Sequence, residues 1–268
     1  MAEVRAVVIT GHGTNCEHES AYALEQAGAD HVAVIYFSDL RAGRIDLRCF
    51  NLLVFPGGFL DGDDLGAAQA AAIRWRLAKN VQGRGLIEDL RAFFEADGLI
   101  LGICNGFQLL VKLGLLPALD GRYFERSVSL GHNASARYED RWVRLGVNAK
   151  SPCVFTKGLS ELAMPVRHGE GRIVPMNEEA LKKLCRAELG ALRYLDEQGR
   201  PTEKYPYNPN GSPLGLAGLT DPSGRILGLM PHPEAFNHRT NHPTWTRQEP
   251  STMGTAIFKA GVDYLHGK

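Results

Sequence analysis

The sequence predicts an α/β fold of three layers, in which a mostly parallel central sheet carries helices on both faces. Short runs such as residues 4–9, apart from Arg5, and residues 99–103 are apolar, which is typical of parallel strands that are buried on both sides. Stretches with helical spacing separate these runs in the first half of the chain. Strands that alternate with helices in this way indicate parallel strands joined by helical crossovers.

In the first half, we expect a strand over residues 4–9, then a glycine-rich turn and a helix over 16–27. This helix ends at Gly28, because glycine readily takes the left-handed conformation of a C-terminal cap. The remaining expected elements are strands over 31–37, 51–55 and 99–103, and helices over 67–78, over 86–96 and from Cys104 to Gly114.

The second half is richer in turns. Strands expected over residues 214–219 and 225–230 flank the turn sequence DPSG, so they predict an added antiparallel hairpin. Residues 197–213 have the composition of a loop, and a last helix is expected over 252–266. There is no repeat or linker composition, so we expect a single domain over residues 1–268.

The composition restricts the class of protein. Thirty basic and thirty acidic side chains give a formal net charge of zero, which argues against nucleic acid or an anionic membrane surface as a partner. The five cysteines form no CxxC pair, so reduced thiols in a cytoplasmic protein are expected rather than disulfides or a zinc site. No apolar stretch approaches the ~20 residues of a membrane span.

Cys104 is the first candidate catalytic residue. It follows the strand expected at 99–103 and begins a helix, and Gly102 and Gly106 leave room for a sharp turn between the two elements, as in the elbow that presents a hydrolase nucleophile. The helix start favours a thiolate there. A buried, inert cysteine is the alternative interpretation, and the partners of Cys104 decide between the two.

His232 and Glu234 are the expected partners of Cys104. They follow the strand expected at 225–230, so all three lie at carboxyl ends of strands, where the active sites of open α/β sheets form. In an extended segment, positions 232 and 234 face the same side, which lets the carboxylate orient the ring and favour its protonated form. Main-chain N–H groups of the FPGGF stretch at 55–59 and of Asn105 are the candidates for an oxyanion hole.

Together these stretches resemble the class I glutamine amidotransferases, which have a flavodoxin-like fold and use a catalytic triad. The chain matches their G-x-C-x-G-x-Q motif at 102–108 and their late His-x-Glu at 232–234. It is most similar to the glutaminase subunits of phosphoribosylformylglycinamidine synthase. That narrower resemblance rests on CNGFQ at 104–108 and on five further stretches: GTNCE at 13–17, FPGGF at 55–59, HGEG at 168–171, YNPNGS at 207–212 and MPHPE at 230–234.

The resemblance implies that this chain hydrolyses L-glutamine to glutamate and ammonia through a thioester on Cys104. His232 would act as the base and Glu234 would orient it, and Gly58 and Asn105 would supply the N–H groups of the oxyanion hole. Gln108, His168 and Glu170 would help to bind glutamine. The ammonia would pass to a synthase subunit, which, with a small accessory subunit, would make formylglycinamidine ribonucleotide. No cofactor or metal is expected on this chain, whereas ATP and Mg²⁺ are expected on the synthase partner.

Four alternatives remain at this stage. A glutaminase serving another amine acceptor shares all these motifs. A cysteine hydrolase of the intracellular-protease type would usually place a histidine after the nucleophile, where this chain has Asn105. A non-catalytic scaffold would not need the triad, and a flavodoxin-like nucleotide-binding protein would need a phosphate loop that residues 11–15 do not supply.

Three further features bear on other parts of the chain. Residues 135–140 depart from the family pattern, and Cys16 is expected to be structural. A solvated loop is expected over 236–250, where His238 and His242 match no metal-site spacing.

Overall fold

The computed structural model describes residues 2–247 and 252–267, and its first half alternates strands and helices as predicted. The elements are β1 (Arg5–Thr10), α1 (Glu17–Gln26), β2 (His31–Tyr36), α2 (Phe37–Arg41), β3 (Leu52–Phe55), α3 (Gln69–Leu77), α4 (Leu86–Glu95), β4 (Leu99–Ile103) and α5 (Asn105–Leu113). Phe37, predicted to end the second strand, instead begins the short helix α2. Phe37 is buried in α2, so its apolar character does not distinguish a strand from a helix at this position.

The second half contains more strands than predicted. Its elements are β5 (Val128–His132), β6 (Glu139–Val147), β7 (Glu161–His168), β8 (Glu170–Pro175), α6 (Glu178–Arg186), β9 (Gly190–Tyr194), β10 (Leu216–Thr220), β11 (Ile226–Leu229) and α7 (Ala256–His266). The strand expected from residue 214 begins two residues later, because Leu214 has a left-handed φ of 56°. The last helix begins at Ala256 rather than at 252.

Nine strands form one sheet, in the order β2-β1-β3-β4-β11-β10-β9-β6-β7. The pairs from β2 to β11 are parallel, and the pairs from β11 to β7 are antiparallel. β5 and β8 form a separate antiparallel pair. The α/β fold is thus confirmed, and its antiparallel part extends beyond the predicted β10–β11 hairpin.

Helices cover the sheet in two groups: α1 packs against α7, and α3 packs against α4 and α5. β2 and β4 lie on opposite sides of β1 in the sheet, so right-handed crossovers place α1 and α4 on opposite faces. Apolar side chains fill the space between; Trp75, for example, meets Phe55 edge-to-face at 5.5 Å between ring centroids. No helix within residues 2–247 and 252–267 is long and apolar enough to cross a membrane.

The carboxyl ends of β1, β3, β4 and β11 meet at one edge of the sheet. β1 lies between β2 and β3, so the strand order reverses there, as at the ligand crevice of open α/β sheets. β4 and β11 are direct neighbours, with Gly102 opposite Gly228 and Ile103 opposite Leu229. Residues that follow these two strands are therefore brought together despite their separation in the sequence.

Candidate active site

Cys104 occupies a sharp turn between β4 and α5. Its φ of 50° and ψ of −104° are rare for a residue other than glycine. Hydrogen bonds hold the turn on both sides: the Cys104 N–H donates to the Leu229 carbonyl at 2.8 Å, and the Cys104 carbonyl accepts from the Gln108 N–H at 3.0 Å. The Cys104 Sγ lies 3.7 Å from the main-chain oxygen of Arg167. The elbow expected from the sequence is present.

The glycines on either side of Cys104 are needed for steric reasons. A Cβ at Gly102 would lie 2.5 Å from Leu110 Cδ1 and 2.8 Å from the main chain of Gly106. A Cβ at Gly106 would overlap the carbonyl group of Phe55. Larger residues at either position would therefore push α5 away from β3 and β4, and Cys104 would move with it.

His232 and Glu234 form a buried, hydrogen-bonded pair just after β11. His232 Nδ1 lies 2.6 Å from Glu234 Oε1, and both side chains are almost fully enclosed. The pairing was expected from an extended segment, but Pro233–Ala235 form a turn of 3₁₀-helix. Proline favours such a turn because its φ is fixed near the helical value. The His232 N–H donates to the Pro165 carbonyl at 2.8 Å, which anchors the segment to β7.

The surroundings of His232 favour the imidazolium form. Burial alone lowers the pKa of a histidine, but the Glu234 carboxylate and the Cys104 thiol outweigh burial and hold the pKa of His232 well above its ordinary value. Nδ1 faces Glu234, while Nε2 has no hydrogen-bond partner within the described part of the chain. Nε2 is therefore the ring nitrogen available to exchange a proton with Cys104.

The main-chain N–H groups of Gly58 and Asn105 were predicted to form an oxyanion hole, and this role stays a prediction. The Gly57 carbonyl accepts from the Asn15 N–H at 3.4 Å, and the N–H and C=O of a trans peptide point in opposite directions. The Gly58 N–H therefore points away from the loop after β1. Its φ of 137° lies in a region that glycine adopts readily. Asn105 is the first residue of α5, so its N–H has no acceptor inside the helix.

The side chain of Asn105 connects three segments around Cys104. Its Oδ1 accepts from the Leu60 N–H at 3.1 Å, and its Nδ2 donates to Gln108 Oε1 at 3.0 Å. Gln108 Nε2 in turn donates to the Glu170 carbonyl at 2.6 Å. The Gln108 amide is thus bound within the protein on both of its polar atoms, and its contact with glutamine stays a prediction.

His168 and Glu170 lie at the corner between β7 and β8. His168 is buried, with Nδ1 3.0 Å from Asn133 Oδ1; burial, assisted by the nearby His232, lowers the pKa of His168 to about 3, so it is neutral at pH 7. Glu170 Oε2 accepts from the Ala67 N–H at 3.2 Å, ahead of α3. Roles of His168 and Glu170 in glutamine binding stay predictions as well.

Two tyrosines near Cys104 were missed from the sequence. Burial, and next the proximity of Cys104, raise the pKa of both Tyr138 and Tyr194. Tyr138 comes from residues 135–140, where the chain departs from the family pattern, and this departure was the available signal. Tyr194 ends β9, a strand that was not predicted, and its hydroxyl accepts from Asn210 Nδ2 at 3.1 Å.

The group with most metal-site character shares His232 and Glu234 with the candidate triad but contains Cys16 in place of Cys104. Within the described ranges, Cys16, His232 and Glu234 alone bring three ligand atoms within 4.8 Å of one another. Ligand atoms ~2.1 Å from one tetrahedral ion lie ~3.4 Å apart, whereas His232 Nδ1 and Glu234 Oε1 are 2.6 Å apart. The spacing therefore fits a hydrogen bond between these atoms better than a shared metal ion.

His238 and His242, which belong to the loop expected over 236–250, are not members of this group. His238 and His242 contact the threonines two residues further on, Thr240 and Thr244, at 2.8 and 3.0 Å. His242 also packs against Trp142. Residues 248–250 of the expected 236–250 loop lie outside the described residues.

The comparisons with known proteins agree with one another over nearly the whole chain. Residues 3–265 match the family model of the CobB/CobQ-like glutamine amidotransferase domain. A Dehalococcoides mccartyi protein named phosphoribosylformylglycinamidine synthase subunit PurQ is 42% identical, over 98% of both chains. A Methanococcus maripaludis protein of the same name is 41% identical, over 98% of this chain and 97% of its own. A chain in the structure of PurLQS from Thermotoga maritima superposes with a TM-score of 0.70 at 26% identity, covering 99% of this chain and 100% of its own.

Proposed function

Because this chain belongs to the CobB/CobQ-like glutamine amidotransferases, and among them to the PurQ subunits of phosphoribosylformylglycinamidine synthase, we propose that it is the glutaminase of such an enzyme. It hydrolyses L-glutamine to glutamate and ammonia for a synthase subunit that makes formylglycinamidine ribonucleotide in purine biosynthesis. One observation carries the proposal: the buried His232–Glu234 pair follows β11, directly beside the elbow that presents Cys104 after β4.

The reaction begins with attack by Cys104 Sγ on the γ-carbonyl carbon of glutamine. His232 Nε2 has taken the thiol proton before the attack, as the raised pKa of His232 favours, and Glu234 stabilises the imidazolium by accepting the Nδ1 hydrogen. The carbonyl oxygen becomes an oxyanion, toward which the N–H groups of Gly58 and Asn105 are the available donors. Removing one such donor typically costs ~3–4 kcal/mol of barrier.

Collapse of the tetrahedral intermediate breaks its carbon–nitrogen bond. His232 gives its Nε2 proton to the departing nitrogen, so ammonia leaves and a γ-glutamyl thioester remains on Cys104. A water molecule then gives a proton to His232 and attacks the thioester, which releases glutamate and restores the thiol. Splitting amide hydrolysis into these two steps lowers the barrier of each.

The second half of the synthase reaction belongs to other chains. This chain has no GxxxxGK[ST] or nucleotide-type GxGxxG sequence, so ATP and Mg²⁺ are assigned to the synthase subunit, and a small accessory subunit completes the proposed complex. The structure of PurLQS from Thermotoga maritima contains a chain of this fold, which supports such an assembly. The five free cysteines support a cytoplasmic location.

The proposal is tested by glutamate release from L-glutamine, with and without the synthase subunits. We expect release by the wild type with its partners, and loss of at least ~10³-fold in Cys104→Ala. Cys49→Ser is the matched control, because Cys49 is an exposed thiol ahead of β3 and its replacement leaves turnover unchanged.

A second readout identifies the intermediate. Acid quenching during turnover traps the thioester, and peptide mass spectrometry should find the γ-glutamyl group on the peptide that contains Cys104. Equal glutamate release by wild type and Cys104→Ala, or an acyl group on another cysteine, contradicts the proposal. To test the acceptor, ammonium salt should replace glutamine in the synthase reaction, and failure of that reaction would point to a different amine acceptor.

A further inference from the structure

Cys16 is a second buried thiol beside the catalytic base, and the reaction described above does not use it. It is 4% exposed and directly precedes α1, in the GTNCE stretch after β1. Its Sγ lies 3.9 Å from His232 Nδ1, the same ring atom that is bound to Glu234. Cys16 is 216 positions away from His232 in the sequence. It contacts the ring on the side opposite to Nε2, the atom that exchanges a proton with Cys104.

Cys16 also contacts the oxyanion loop. A Cβ placed on Gly57 would lie 3.2 Å from the Cys16 Sγ and 2.8 Å from Cε1 of His232. The sulfur and the imidazole ring therefore pack together against the main chain of Gly57, the residue before the proposed oxyanion donor. Asn15, next to Cys16, donates its N–H to the Gly57 carbonyl at 3.4 Å, which adds a second connection to the same peptide.

The chemistry of Cys16 differs from that of a nucleophile. Burial, assisted by the charge of Glu234, raises the pKa of the Cys16 thiol, so it stays protonated near neutral pH. Its hydrogen is donated to Asn15 Oδ1 at 3.1 Å. A neutral sulfur held in this way excludes water from the hydrogen bond between His232 and Glu234 and adds no charge that would compete with Cys104.

We propose that Cys16 is a positioning residue, which holds the His232 ring and the Gly57–Gly58 peptide in a fixed relation to each other. The inference rests on the proposed glutaminase function and assigns a role to the GTNCE stretch. Without the sulfur, the ring gains freedom to tilt toward Gly57, and both proton transfer and the oxyanion donor lose alignment. Misplacement of a reacting group by ~1 Å can cost ~10²-fold in rate.

The test compares Cys16→Ala, Cys16→Ser and Cys153→Ala in the complex with the synthase subunits. Cys153 is also a buried cysteine, but it lies beside the turn at the opposite end of β11 from His232. In Cys16→Ala we expect kcat to fall ~10- to 100-fold while KM changes less than about threefold. Cys16→Ser should recover most of the rate, because its hydroxyl can donate to Asn15 Oδ1. Cys153→Ala should lose stability without losing kcat.

A double-mutant cycle shows whether Cys16 acts through His232. If it does, Cys16→Ala should have little further effect once Glu234→Gln has already impaired the base. Thermal unfolding separates a loss of folding from a loss of alignment, since both alanine variants leave a cavity of similar size. Equal kcat for wild type and Cys16→Ala, or equal losses in Cys16→Ala and Cys153→Ala, overturns this inference and leaves the glutaminase intact. Wild type without glutaminase activity overturns the proposed function itself.

Discussion

The main chain of Gly58 pairs with that of Thr14 in an isolated antiparallel bridge, so the loop after β1 holds the loop after β3. The adjacent Phe59 N–H donates to the Gly13 carbonyl at 2.7 Å. These bonds join two loops of the same chain, and they give the proposed oxyanion donor a defined orientation.

Gly58→Ala should therefore remove activity through the main chain. An added Cβ would lie 2.6 Å from the Gly13 carbonyl oxygen and 2.8 Å from Thr14 Cα, at a φ of 137° that favours glycine. We expect kcat to fall ~10²- to 10³-fold, the typical effect of losing one oxyanion donor. Steady-state glutaminase kinetics check this. Gly83→Ala is the control, because its φ of 83° is strained but the space around it is open; similar losses in both variants would contradict the assignment of Gly58.

Glu234→Gln should impair the base and leave the fold in place. The amide cannot stabilise the imidazolium as the carboxylate does, so we expect kcat to fall ~10³- to 10⁴-fold, as when the acid of another triad is made neutral. Asp221→Asn is the control, since Asp221 is a buried carboxylate in the turn between β10 and β11, away from the site. Retention of wild-type kcat in Glu234→Gln would show that Glu234 does not serve the base.

His168 should make the protein less stable in acid. Its folded-state pKa of about 3 lies below the ~6.5 of an unfolded histidine, so unfolding takes up a proton between these values. The stabilisation is complete above pH ~6.5 and is lost as the pH falls toward 3, by up to ~1.4 kcal/mol per pH unit. Urea unfolding from pH 7 to pH 4.5 measures this slope, and His168→Gln should make it shallower. An unchanged slope in the variant would contradict the burial of a neutral His168.

Asn210→Ala should cost stability more than chemistry. Asn210 Nδ2 donates to the Gly171 carbonyl at 2.8 Å and to the Tyr194 hydroxyl at 3.1 Å, and its Oδ1 accepts from the Ser212 N–H and Oγ. Leaving these buried groups without partners should lower the free energy of unfolding by ~3–4 kcal/mol. Chemical denaturation measures it, and Asn177→Ala, which removes only the N-cap of α6, should cost ~1 kcal/mol. Equal costs for the two variants would contradict this account.

How far the fold could be predicted depended on how each strand is buried. β3 and β4 are enclosed on both sides and consist almost entirely of apolar residues, so the sequence identifies them directly. β6 reads EDRWVRLGV and is only partly buried, and β8 contains both Glu170 and Arg172. Polar and charged side chains on their exposed positions hide such strands from an apolar-run criterion. β6 and β8 were missed for this reason, whereas β9 is mostly buried and reads GALRY.

The same distinction applies to the site. The elbow at Cys104 and the pair at His232 and Glu234 are local patterns, and short spacing predicts them. The contact of Cys16 with His232 depends on α1 lying beside the turn after β11, which follows from the order of strands in the sheet. Tyr194 reaches the site only because β9 pairs with β10. Neither contact leaves a signal in the spacing of residues along the chain.

Because β4 pairs with β11, glutamine turnover can also report whether the chain is correctly folded. The two strands carry the proposed nucleophile and the proposed base at their ends, and Gly102 faces Gly228 across the ladder. A slip of one residue would turn every side chain of β11 to the other face and carry His232 out of reach of Cys104. Catalysis by this chain is thus a readout of correct strand alignment, and a refolded sample can be quantified by the fraction of molecules that turn over.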